Sequence, residues 1–223
     1  MSMTTDAIAI VKEYMIKTFS QYLQESPSTY HAFDMDETIF GHHHDKLKIH
    51  VRDKKSGRRV MSLTNTQFNT HKLHPDHEYD FSDFRSSSVF KKSAYPIHPM
   101  LAKMKAIHRN GGKVEIVTAR SDLDNKKKFG DHLKKFGVDI DQIHVRRSGN
   151  LNPRGSAAVN KAQMISNLVK QHGYKEVHLY DDSIENLDHV LALKKLHPDV
   201  VFNAHHVQHN PATGKVTITH KRV

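Results

Sequence analysis

The sequence predicts an α/β protein: a doubly wound parallel sheet with a small β-rich insertion and a C-terminal β-hairpin. Short apolar runs of strand length recur along the chain, helical segments separate most of them, and one stretch, 41–95, breaks that rhythm. Strand, helix and strand in repetition favour a parallel sheet with helices on both faces and right-handed connections. A chain of 223 residues with 37% hydrophobic content is long enough to bury such a core. The core domain is expected over 1–40 and 96–223, with 41–95 inserted as a flap or cap.

In the first segment Ile8, Val11, Met15, Phe19 and Tyr22 recur at helical spacing, which predicts an amphipathic helix over 5–24. Lys12, Glu13 and Lys17 interrupt it, so it lacks the apolar block of a secretory signal, and no later run reaches the length of a membrane span. "YHAFDM" at 30–35 reads as the first strand. In the insertion, "KLKIHVRDKKSGRRVMSL" alternates apolar and polar residues on both sides of a turn-rich centre, a hairpin signal. The remainder of that stretch is polar and aromatic, without a long periodic helix. Residues 97–109 place Met100, Leu101, Met104 and Ile107 on one helical face ahead of a Gly-Gly stop. Further strands are expected at "KVEIVTA" (113–119), "QIHVR" (142–146), "EVHLYD" (176–181) and "VVFNA" (200–204). The segment "KAQMISNLVKQHG" reads as a helix with a terminal glycine, and "NAHHVQH" and "KVTITHK" flank the turn "NPATG" as a final hairpin.

The absence of cysteine excludes disulfides, thiolate metal sites and a cysteine nucleophile, and suits a reducing, cytoplasmic setting. The formal net charge of +10 favours anionic partners such as nucleotides or nucleic acid. The basic residues fall in short clusters such as "NKKKF", "LKKFG" and "HKRV", which read as solvated surface. Twenty histidines include "GHHH" and "AHHVQH", but a metal site needs fixed geometry and supporting hydrogen bonds that spacing alone does not define.

In an open parallel sheet the ligand site lies at the carboxyl ends of the strands. Asp34 and Asp36 end the first strand, Thr118 ends "EIVT", Arg146 and Arg147 end "IHVR", and Asp181 and Asp182 end "HLYDD". Lys161 is expected to join them from a helix start after the loop "GNLNPRGSAAVN". Several acids at one edge repel one another strongly unless a cation sits among them. Mg²⁺ is the expected ion, because it takes oxygen ligands and leaves coordination positions for water and a substrate phosphate.

Through "DMDET" at 34–38, "VTAR" at 117–120, Lys161 and "YDDSIENL" at 180–187, the chain resembles the haloacid dehalogenase superfamily of phosphotransferases, a likeness running from about 29 to 203. The resemblance implies the fold already described and a phosphatase mechanism. Asp34 would attack phosphorus to form an aspartyl-phosphate, and Asp36 would serve as general acid and then general base. The backbone carbonyl at 36 would bind the metal, leaving the Asp36 side chain free for proton transfer. Thr118, Ala119, Arg120 and Lys161 would hold phosphoryl oxygens. Asp182 is expected to bind the metal directly or through water and Asp181 to orient Lys161, although these two roles are interchangeable at this stage. Asn186 stands where many relatives carry another acid.

A β-rich flap implies a partly open site that admits a bulky substrate. Arg120, Arg146 and Arg147 are expected to grip phosphates, and Tyr79, Phe81, Phe84 and Phe90 either stack bases or form a small core under the flap. "DDSIENL" is similar to the corresponding stretch of nucleotidases and polynucleotide 3′-phosphatases in that superfamily. The leading expectation is therefore a Mg²⁺-dependent phosphomonoester hydrolase acting on nucleotides or nucleic-acid termini. The alternatives are a small-metabolite or phosphoprotein phosphatase, or a non-catalytic nucleic-acid-binding module on the same fold.

Overall fold

The computed structural model describes residues 28–68, 70–152 and 155–223, so the helix expected over 5–24 lies outside the described residues. In chain order, β1 (Thr29–Phe33) leads into the inserted stretch: β2 (Phe40–His42), β3 (Ile49–Asp53), β4 (Arg59–Leu63), α1 (Asn65–Phe68), β5 (His77–Asp80), α2 (Ser82–Arg85), α3 (Ser87–Ser93) and β6 (Ala94–Pro96). The chain continues through α4 (His98–Arg109), β7 (Lys113–Thr118), α5 (Lys126–Lys135), β8 (Val145–Arg147), α6 (Ala157–His172), β9 (Glu176–Asp181), α7 (Ile184–Leu191), β10 (Val201–His209) and β11 (Val216–Arg222).

The fold is mixed α/β around a six-stranded sheet in the order β11-β10-β9-β1-β7-β8. Strands β10, β9, β1, β7 and β8 run parallel, and β11 adds antiparallel to β10. The chain moves outward from β1 through β7 to β8 and then returns to the other side of β1 as β9. The order therefore reverses between β1 and β9, where a parallel sheet opens a crevice beyond its strand ends.

Alternation along β1 divides the core. Tyr30 and Ala32 join Val177, Leu179 and Phe202 under α6 and α7, which contribute Ile165, Leu168, Leu187 and Val190. Phe33 joins Ile116 under α4 and α5, which contribute Met100, Met104, Phe129 and Leu133. Burial on both faces explains why these strands read as nearly continuous apolar runs.

Two boundaries and one whole helix differ from the expectation. The strand expected over 142–146 is shorter and later, because residues 139–143 form a turn in which the Gln142 and Ile143 amides donate to Asp139 O, and pairing with β7 begins at Val145. Helix α6 starts at Ala157, so Lys161 sits one turn inside it. Helix α5 was hidden within lysine clusters and by Gly130. Gly130 weakens the helical signal, and its missing side chain leaves room for Ile140, whose Cδ1 would lie 2.5 Å from a Cβ there.

The inserted stretch leaves and returns through paired β2 and β6, with Phe40 opposite Pro96 and His42 opposite Ala94. Beyond this stem lies the antiparallel sheet β4-β3-β5, including the hairpin read from the sequence and a third strand that was not. Short helices α1, α2 and α3 also occur where only irregular chain was expected. The final hairpin turns over residues 210–214, with Gly214 at φ 68°. Among the described residues, no helix is long and apolar enough to cross a membrane.

Candidate active site

The reversal point between β1 and β9 gathers acids. Asp34 follows β1, and its amide donates to Tyr180 O at 2.8 Å, extending the pairing with β9 by one residue. Asp181 closes β9 and Asp182 follows it. Carboxylate oxygens of Asp34, Asp181 and Asp182 lie within 4.8 Å of one another, so this group is able to hold a metal ion. Asp34 and Asp181 are buried, whereas Asp182 is exposed to the cleft.

Lys161, fully buried on α6, spans two of these acids. Its Nζ donates to Asp34 Oδ1 at 2.7 Å and to Asp181 Oδ2 at 2.5 Å. Burial opposes its charge, yet Asp181 and Asp34 hold the ammonium above its ordinary pKa. Asp181 also accepts from the Ser183 amide and from Asn186 Nδ2, which reaches both carboxylate oxygens. Asn186 therefore helps fix Asp181. Asp181 is the heavily bonded acid and Asp182 is the one presented to the cleft.

The remaining charge is unbalanced. Burial pushes Asp34 well above the usual carboxylate range, assisted by Asp181, Asp182 and Asp36 and opposed by Lys161. Desolvation by the walls of the cleft and the charge of Asp181 raise Asp182 to about 7. Glu37, which sequence reasoning missed, lines the same cleft and is raised to about 7 by burial and Asp36. It adopts φ 57°, a left-handed conformation unusual for a non-glycine residue, so only the tight turn after the motif hinted at it. A low-dielectric edge with this surplus of acids favours a cation, and the all-oxygen donors suit a hard one.

Asp36 departs from the free side chain expected of it. Arg120 Nε donates to Oδ2 at 2.9 Å and Nη2 to Oδ1 at 2.7 Å, while His42 Nε2 lies 2.7 Å from Oδ1. His42 Nδ1 in turn meets Ser93 Oγ at 3.0 Å, linking the clamp to the end of α3. Burial acts in the opposite direction, but Arg120 and His42 hold the Asp36 carboxyl far below its ordinary pKa. Arg120 is thereby turned to Asp36 rather than held free for a phosphate. Its Nη1 donates to Phe84 O at 2.7 Å, and its guanidinium lies over Phe84 and Phe90.

Thr118 is fully buried at the end of β7, where its Oγ1 accepts from the Arg120 amide at 3.2 Å, leaving the hydroxyl proton available for donation. Ala119 lines the cleft. Gly149 packs so closely behind this loop that a Cβ would lie 2.4 Å from Ala119 O.

Arg146 and Arg147 do not line the cleft. Arg146 makes a two-pronged ion pair with buried Glu115, both bonds 2.9 Å. Arg147 lies over Phe129, with Nε 3.7 Å from Asp122 Oδ1. Successive residues of a strand point to opposite faces, which sends these side chains away from each other.

The cleft encloses about 1230 Å³ between the core, the inserted stretch and the final hairpin. Phe68, Tyr79, Phe81 and Phe84 form one aromatic wall, and Arg52, Arg85, His209 and Pro211 also line the cleft. Phe81 is 42% exposed, whereas Phe90 is wholly buried in the main core. Among the described residues the histidine-rich stretches bring no three metal ligands together. Instead, histidines stack across the sheet, with ring centroids 4.6 Å apart for His31 and His178 and 4.7 Å apart for His205 and His220.

No protein-family model matches the chain, and no curated protein sequence matches it significantly.

Proposed function

We propose that this protein is a Mg²⁺-dependent phosphomonoester hydrolase of the haloacid dehalogenase type, with a doubly wound core and the inserted stretch as its cap, acting on nucleotides or nucleic-acid termini. The observation that carries this reading is the meeting of Asp34, Asp181 and Asp182 within 4.8 Å around the buried Lys161 ammonium. Asp34 and Asp182, with the Asp36 carbonyl, are assigned to the metal, and Asp181 to orienting Lys161. A bound Mg²⁺ would neutralise developing charge on the phosphoryl oxygens.

Asp34 attacks phosphorus as its P–O bond to the leaving group breaks, giving an aspartyl-phosphate. Lys161 and the Thr118 hydroxyl hold the equatorial oxygens. Asp36 gives its proton to the departing oxygen, then takes one from water as that water displaces Asp34 and releases phosphate. Because Arg120 and His42 keep Asp36 ionised in the arrangement described, it gains the first proton only once that clamp loosens. Movement of the inserted stretch, which supplies Phe84 O and His42 to the clamp, is thus tied to the acid step.

The cleft volume exceeds the usual range for small-molecule pockets, roughly 300–1,000 Å³. That size and the exposed Phe81 favour a bulky substrate with a planar group over a small metabolite. Purified protein is expected to release phosphate from p-nitrophenyl phosphate only with Mg²⁺, with turnover abolished by Asp34→Asn. Metal-independent turnover, or an active Asp34→Asn variant, would reject the mechanism. Oligonucleotide binding without turnover would favour the non-catalytic module instead.

A further inference from the structure

A second cavity, about 340 Å³, lies between α3 and α5 and is lined by Lys91, Lys127, Lys128, Lys135, His132, Asn125 and Asp131. The one acid in it is paired: Lys127 Nζ donates to Asp131 Oδ2 at 2.7 Å. Lys128 donates to Ser88 Oγ at 2.6 Å. Lys91 and Lys135 form no ion pair among the described residues, so the pocket keeps a surplus of positive charge.

His132 gives an independent observation. Both ring nitrogens are buried without a hydrogen-bond partner, while the ring stands edge-on to Phe90 and Phe136. A neutral imidazole always has one N–H to donate. Leaving that donor unpaired costs about 1–3 kcal/mol. Burial, followed by the charges of Lys135 and Lys91, lowers the pKa of this ring, which lines the pocket. An anion in the pocket supplies the countercharge that Lys91 and Lys135 lack.

The pocket adjoins the cleft. Arg85 and Ser121 line the cleft, whereas Lys91 and Asn125 line the pocket. The strips joining them are bonded together, with the Asp124 amide donating to Arg85 O and the Ser87 amide to Asp124 Oδ1, both 2.8 Å. Four residues of chain from Ser121 to Asn125 span at most about 14 Å.

We infer that this lysine pocket is a second anion site, which holds backbone phosphates of a single-stranded nucleic acid whose terminal phosphate lies in the cleft. The inference rests on the phosphomonoesterase reading of the cleft. A polymer fits better than a free anion because the same two strips of chain, 85–91 and 121–125, border both cavities, and a flexible single strand can follow them from one to the other. Lysines serve as phosphate-binding point charges that do not read sequence.

The test uses the full chain and the double variant Lys91→Glu with Lys135→Glu. A fluorescent oligodeoxythymidylate of roughly 20 nucleotides without a terminal phosphate is titrated at several salt concentrations. The variant is expected to bind at least about tenfold more weakly, and its dependence of log affinity on log salt to become shallower by about 1.4, the value for two lost single-strand phosphate contacts. Turnover of p-nitrophenyl phosphate should remain within about twofold of the parent, since surface substitutions away from the site ordinarily change little. Unchanged oligonucleotide affinity and salt slope would overturn the inference, as would equally effective competition by polyglutamate, which would identify an acidic-protein surface. If the parent binds through these lysines but hydrolyses no p-nitrophenyl phosphate with Mg²⁺, the pocket stands and the phosphatase reading fails.

Discussion

Two buried acids on neighbouring strands have opposite surroundings. Glu115, in the middle of β7, meets Arg146 through two bonds, Lys113 Nζ at 3.3 Å and the Tyr30 hydroxyl at 3.1 Å. Burial works against its charge, but these partners hold its pKa below the ordinary value. Asp34, at the end of β1, shares one lysine with Asp181, faces Asp182 and has its pKa raised. Glu115, supplied with partners, belongs to the scaffold. Asp34, left short of positive charge, marks a place where something else binds.

The largest expected effects separate the two. Asp34→Asn should lower turnover by about 10⁴-fold, as loss of a central catalytic group does. Its melting temperature should change little, because the substitution keeps an oxygen acceptor for Lys161 and relieves repulsion from Asp182. Glu115→Gln should do the reverse: activity persists, while stability at neutral pH falls by about 2–3 kcal/mol, below the full penalty for a broken buried pair because Arg146 is partly exposed. A depressed pKa adds stability above the unfolded value, lost as pH falls through the folded one. The difference between parent and Glu115→Gln should therefore narrow below about pH 4.3 in denaturant melts. Equal loss of activity in both variants would erase the distinction.

The next effect is metal linkage. Without metal, folded Asp182 retains its proton to about pH 7, whereas an unfolded aspartate releases its proton near pH 4. The folded state binds more protons between these values, so the contribution of this group to stability falls as pH rises from about 4 to about 7. Mg²⁺ displaces that proton, and its stabilisation should grow across the same window. At a concentration about a hundred times its Kd, the gain is expected near 2.7 kcal/mol at about pH 8 and close to none at about pH 5. Thermal melts with and without Mg²⁺ test this, and Asp182→Asn should remove the difference. A gain independent of pH would mean that the ion binds elsewhere.

The sequence made the acidic rim legible because Asp34, Thr118 and Asp181 each end an apolar run, and a parallel sheet aligns such ends. It did not reveal the clamp on Asp36, whose partner Arg120 is 84 positions away and whose other partner, His42, lies in the run "GHHH", which reads only as a candidate metal site. Arg146 and Arg147 misled for a local reason. The turn over 139–143 delays β8, and alternation then points one arginine to Glu115 and the other over Phe129. Helix α5 was obscured because only Phe129 and Leu133 signal its buried face among five lysines, with Gly130 between them. For the clamp the missing information is a tertiary contact, and for β8 and α5 it is local chain geometry and composition.

The smallest effect tests whether the insertion's aromatic wall belongs to the scaffold or the site. Tyr79 and Phe84 pack against Ile49, Val51 and Leu63, which is core behaviour. Phe81 remains 42% exposed while its ring centroid lies 5.7 Å from Phe68 and 6.2 Å from Phe84, a rigid apolar face at the cleft. Stacking one base on such a face contributes about 1–3 kcal/mol. Phe81→Ala should therefore raise KM for a nucleoside monophosphate by about tenfold, and leave kcat/KM for ringless glycerol phosphate unchanged. Thermal stability should move by less than about 0.5 kcal/mol, as at other exposed positions. If stability falls and both substrates suffer equally, Phe81 belongs with Tyr79 and Phe84 in the insertion's core, and the preference for a planar leaving group loses its support.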